Sequence, residues 1–122
     1  MGEPKFPSGG NWPVGGIAPT VDELRQRLPV EFFDDLDDLD YFTAGWLMSR
    51  AVGPILLIRY KRSPDPHVEV LVDSLVCRDD AIRALGVEFG IDDAEWKWTA
   101  KHQTYADSLA EAERLTREAR GA

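Results

Sequence analysis

Cys77 is the only cysteine among 122 residues, so no intrachain disulfide braces the fold, and a reducing, cytoplasmic setting is expected. A lone thiol in the stretch Ser74-Leu-Val-Cys-Arg78 reads as a small buried hydrophobe rather than a nucleophile. Long apolar runs are missing too. None approaches the ~18 residues needed to span a bilayer, and the N-terminus has no continuous apolar stretch of the secretory kind, so no membrane association is expected. Histidine is scarce: His67 and His102, with Cys77, fall short of a convincing zinc set, which takes three or four ligands. Phosphate-binding and dinucleotide-binding glycine motifs are absent, as is a nucleophile elbow; no cofactor or catalytic residue is assigned.

The most informative absence is of bases. Residues 31–40 carry six acids and no Lys or Arg, whereas the rest of the chain has sixteen acids against fourteen bases, so the net charge of −8 is mostly local. Such a balance argues against nucleic acid as partner, because counterion release needs clustered cations. It suits a basic protein, whose encounter an acidic patch accelerates.

What is present is enough for one core. Apolar residues make up 43% of the chain, including four Trp, five Phe and three Tyr. Residues 1–19 hold four Pro and five Gly without a period of two or 3.6, and are read as a flexible arm preceding a single domain over residues 20–122. Thr20 and Glu23 match a capping box, predicting a helix to about Leu28. Pro29 then suits the first position of a second helix over residues 30–48, with Phe32, Leu36, Leu39, Thr43 and Trp46 at spacings of four and three forming its core stripe. Residues 55–62 and 67–74 have strand composition and are close enough for a hairpin. Asp79 opens a third helix that Gly90 ends; residues 95–100 alternate as a third strand, and residues 104–120 form a last helix. The expected fold is therefore two-layer α+β with a small mixed three-stranded sheet, in the order α-α-β-β-α-β-α.

Three constellations bear on function. On the predicted second helix, Asp34, Asp37 and Asp38 point away from the core stripe while Asp35 and Asp40 flank it. Glu31, Asp34, Asp37, Asp38, Asp40 and Tyr41 are the expected contact residues for a basic partner. The spacing fails an EF-hand, whose sixth position needs glycine, and no metal is assigned. The DDxxD pattern of Asp34–Asp38 lacks the second acidic motif and the basic clamp that diphosphate chemistry requires. Inhibitors of toxins, including immunity proteins against nucleases, have this size and acidity, and ten Arg to four Lys is a bacterial balance. The second constellation is Asp73 with Glu95 and Lys97, an arrangement by which metal-dependent hydrolases and nucleases hold Mg²⁺. The third is the stripe Tyr105, Leu109, Ala112, Leu115 and Ala119 on the last helix, which would let the chain act as an accessory subunit or homodimer.

Overall fold

The computed structural model describes residues 5–36, 40–64 and 67–121. Its elements run β1 (Asn11–Ile17), α1 (Val21–Arg27), β2 (Phe32–Leu36), β3 (Tyr41–Ser49), β4 (Gly53–Tyr60), β5 (Val68–Asp73), α2 (Arg78–Phe89), a 3₁₀ turn at Asp93–Glu95, β6 (Trp96–Thr99) and α3 (Tyr105–Gly121). The strands form one sheet in the order β2-β3-β4-β5-β1-β6, every adjacent pair antiparallel. The expected mixed three-stranded sheet is thus corrected to a six-stranded antiparallel one.

Two misread segments account for the difference. Asn11–Ile17, expected in the flexible arm, is a strand held between β5 and β6. Its glycines hide the strand in the sequence but are required by its neighbours. A Cβ on Gly15 would lie 2.6 Å from the Trp96 ring and 2.5 Å from the Trp98 carbonyl oxygen, so only a bare backbone fits there. The second segment is the predicted helix over residues 30–48, which is instead β2 and β3, paired from Phe32 opposite Gly45 to Leu36 opposite Tyr41. Its four-and-three spacing also contains a period of two: Gly45, Leu47 and Ser49 are buried, alternating with Trp46 and Met48. Gly45 is bare because Val30 would meet its Cβ at 2.6 Å as the chain enters β2.

The crossover logic survives in altered form. β5 and β6 run the same way and are joined by α2, but β1 inserts between them and makes both pairings antiparallel.

One face of the sheet carries the core. Val14 and Ile17 of β1, Leu47 of β3, Ile55 and Leu57 of β4 and Val68, Val70 and Val72 of β5 pack under Leu24 and Leu28 of α1 and Ala81 and Leu85 of α2. Helix α1 has the expected cap: Thr20 Oγ1 accepts from Glu23 N–H, and the Glu23 carboxylate accepts from Thr20 N–H. Helix α2 ends at Gly90 with φ of 73°, a conformation that costs a residue without Cβ nothing. On the opposite face, Trp46, Leu56 and Leu71 stand in one cross-strand row. The segment before β1 lies on that face, with the Phe6 and Trp46 ring centroids 5.1 Å apart. Its anchor is Asp73, whose carboxylate accepts from Ser8 N–H at 2.8 Å and Leu75 N–H at 3.0 Å.

Candidate functional site

The acidic run occupies the outer margin of the sheet. β2 has a neighbour on one side only, β3, so its other side is a sheet edge. Lys61 N–H donates to Tyr41 C=O, which turns the Tyr41 backbone towards β4. Leu36, opposite Tyr41, is then in a non-hydrogen-bonded pair, and by alternation the backbone groups of Phe32, Asp34 and Leu36 face the open edge. The Leu36 N–H is met by the carboxylate of Asp35 at 2.8 Å, which blunts one end of that edge.

Around this edge, carboxylates alternate with exposed apolar side chains. Phe33 is 44% exposed, and Leu36 and Tyr41 are each 55% exposed as a cross-strand pair. Glu31, Asp34 and Asp35 are exposed, and among the described residues none of them forms an ion pair. The Thr43 hydroxyl donates to Asp34, orienting that carboxylate without neutralising it. Asp40 differs. It accepts from Arg62 N–H at 2.7 Å, its side chain is only 11% exposed, and the Arg62 guanidinium lies 3.8 Å away. With Lys61 6.0 Å from the centre of the Tyr41 ring, the basic cluster after β4 touches one flank of the acidic hairpin and leaves the β2 edge negative. Of the six expected contact residues, the structure therefore gathers Glu31, Asp34 and Tyr41 on the exposed margin and turns Asp40 towards the chain's own arginine. Asp37 and Asp38 lie outside the described residues.

The expected Asp73, Glu95 and Lys97 set is not brought together. Asp73 pairs with Asn11 at one end of β1, whereas Trp96 pairs with Ile17 at the other, six residues or roughly 20 Å along the strand. Asp73 is buried, and its two backbone donors are those of the N-terminal anchor. Burial pushes its carboxyl up, yet those amides and the Ser8 hydroxyl outweigh burial and hold it below the usual aspartate value. Glu95 is paired with Arg27, bonded at 2.5 and 3.0 Å, and also accepts from Asp92 N–H; the guanidinium's hydrogen bond is the main reason its carboxyl lies low. These are structural ties. No group of three or more acidic, His or Cys side chains among the described residues is placed to hold a metal ion.

Trp96 and Trp98 of β6 are separated by the irregular register where the strand meets Gly16 and Ile17. Trp96 packs on the core beside Gly15, and Trp98 lies over Gly16 on the other face. His102 donates to Glu111, as does Lys101 at 2.7 Å; the Lys101 bond first and then His102 lower the Glu111 carboxyl to about 2. This clasp fixes the start of α3. Sequence reasoning missed Phe33 and Leu36 as exposed residues, because the helical reading gave Leu36 to the core. A cleft of about 540 Å³ between α2 and the β3–β4 turn is lined by Arg50, Val52, Arg83 and Val87. Of the two carboxylates that line it, Asp80 and Glu88, Glu88 is spent on Ser49 Oγ and the Arg50 and Ala51 amides.

Comparison with protein families, curated proteins and solved structures gives no match. The site must speak through its own chemistry. Among the described residues, no helix is long and apolar enough to cross a membrane.

Proposed function

We propose that the chain is a protein-binding module that presents the β2–β3 hairpin, rather than a helix, to a basic partner. The observation that carries this reading is the combination at one sheet edge of Asp34 and Asp35, carboxylates with no ion-pair partner among the described residues, with the exposed Phe33, Leu36 and Tyr41. Apolar side chains supply contact area, and the carboxylates steer a cationic surface into register. Open backbone groups on β2 allow an extended segment of the partner to add as a further strand. The partner class that fits best is a protein whose own ligand is a polyanion, such as a nuclease. Its cationic groove accepts carboxylates where phosphates would lie, and the module acts as its inhibitor, in the manner of an immunity protein.

The test has two stages. Capture on the immobilised chain from native lysate at low salt supplies a ligand, whose affinity is then measured against wild type and the Asp34→Lys/Asp35→Lys double variant. The double variant should lose at least tenfold in affinity, and wild-type binding should weaken steeply between about 50 and 200 mM salt. A ligand bound equally by the double variant, with unchanged circular dichroism, rejects the hairpin as the contact surface.

A further inference from the structure

The cleft between α2 and the β3–β4 turn is built from one flank of a helix and one tight turn. Asp80, Ala84, Val87 and Glu88, at spacings of four, three and one, share that flank of α2, and residues 50–52 complete the lining of a cavity of about 540 Å³. Such a volume falls within the roughly 300–1,000 Å³ typical of small-molecule sites. Val87 is 80% exposed and leaves an apolar wall open to an occupant.

Two guanidiniums line this cavity without an anion of their own. Arg25, Arg27, Arg62, Arg78 and Arg114 each pair with a carboxylate, whereas Arg50 and Arg83 form no ion pair among the described residues. The carboxylate nearest Arg50 in the fold is Glu88, and the turn has taken it. Its oxygens accept from Ser49 Oγ, from Arg50 N–H at 2.7 Å and from Ala51 N–H. Glu88 thus fixes the Arg50 backbone and leaves the guanidinium unbonded. Asp80, the other carboxylate, lies two turns before Val87, roughly 10 Å along the helix axis. Arg50 therefore marks one end of the groove and Asp80 the other, with Arg83 between them.

We propose that this groove binds a small organic anion with one oxyanion head, a carboxylate or a phosphate monoester, held by Arg50 and Arg83 with its apolar body on Val52, Ala84 and Val87. A planar guanidinium offers two parallel N–H donors to such a head. Asp80 repels a second anionic group, so the ligand carries its charge at one end only. The site is separate from the acidic hairpin: Arg50 follows Ser49, which is eight residues or roughly 26 Å along β3 from Tyr41.

Titration of the isotope-labelled full chain with octanoate and, separately, phenyl phosphate, each to about 10 mM, provides the test by amide NMR. At least one probe should shift the amides of residues 50–52 and 83–88 saturably, and the one that binds tighter identifies the preferred head. Hexanol and inorganic phosphate, which carry only the body or only the head, should bind at least tenfold more weakly. Arg50→Gln/Arg83→Gln should lose at least tenfold in affinity. Val87→Glu, at a side chain open enough to leave the fold intact, should lose as much. No saturable shift with either probe, shifts centred elsewhere, hexanol binding as well as octanoate, or a double arginine variant that binds as wild type does would each overturn the proposal.

Discussion

Removing the Asp73 carboxylate tests whether the N-terminal segment is part of the fold. Asp73 is 4% exposed and accepts two backbone N–H groups, from Ser8 and Leu75. A hydrogen bond to a charged acceptor contributes about 1.5–3 kcal/mol net, and the lower end applies here because Ser8 and Leu75 lie at the surface where water can replace the acceptor. Asp73→Ala should therefore cost about 3 kcal/mol. At roughly 2.1 cal/mol/K per residue the unfolding entropy is about 0.26 kcal/mol/K, which makes the loss about 12 °C in Tm. Asp73→Asn keeps one carbonyl acceptor and should fall between the two. The hydrogen bonds hold the folded carboxyl below its ordinary value, so its contribution is complete above pH ~4 and disappears as pH falls through the lowered value. Urea denaturation across that range should show the wild-type advantage over Asp73→Asn shrinking with acidity. Amide exchange at Ser8 should quicken in both variants, and the environment of Trp46 should change as Phe6 lifts away. Variants as stable as wild type at neutral pH, or a difference that acid leaves untouched, would refute the anchoring role.

Other substitutions probe separate parts. Gly15→Ala pushes a methyl against the Trp98 carbonyl oxygen and the Trp96 ring, and should destabilise by about 2–3 kcal/mol in chemical denaturation. Gly86→Ala is the counterpart: its Cβ meets only the Ile91 carbonyl oxygen at 3.4 Å, and α2 should gain about 0.5–1 kcal/mol. For Glu111, whose carboxyl is lowered to about 2, the support given to α3 is complete above the ordinary glutamate value and lost as pH falls through about 2. Glu111→Gln should abolish that acid dependence, and amide exchange in the first turns of α3 should already be faster than wild type at neutral pH.

The parts of this fold legible in the sequence are those where local chemistry and tertiary placement agree. Thr20 and Glu23 cap α1, Val68, Val70 and Val72 alternate into the core of β5, and Gly90 stops α2. Residues 96–99 also form a strand and residues 105–121 the last helix, close to the bounds expected for each. Three strands were hidden, for two different physical reasons. β1 carries Pro13, Gly15 and Gly16, residues that intrinsic preference keeps out of strands, and the rings that require bare backbone there come from Trp96 and Trp98, more than eighty residues later. In the acidic segment, Phe32, Leu36, Thr43 and Trp46 fit helical spacing by coincidence, while the low helix propensity of the intervening aspartates pointed the other way. That competition fixed how the candidate site was read. The acids were recognised from composition, but their place at a strand edge, and the company of Phe33 and Leu36, followed only from the register with β3.

The position of β1 has a consequence for how the chain matures. Its partners Val68–Asp73 and Trp96–Thr99 are translated long after it, so a growing polypeptide must hold Asn11–Ile17 in reserve until at least β5 is available. Until then the β2–β5 meander offers the exposed flank of β5 to any passing strand, and β6, whose one neighbour is β1, cannot join until that slot is filled. Slow, late insertion of Asn11–Ile17 is thus the step at which assembly of this sheet is most open to interception by a chaperone or to mispairing with another chain.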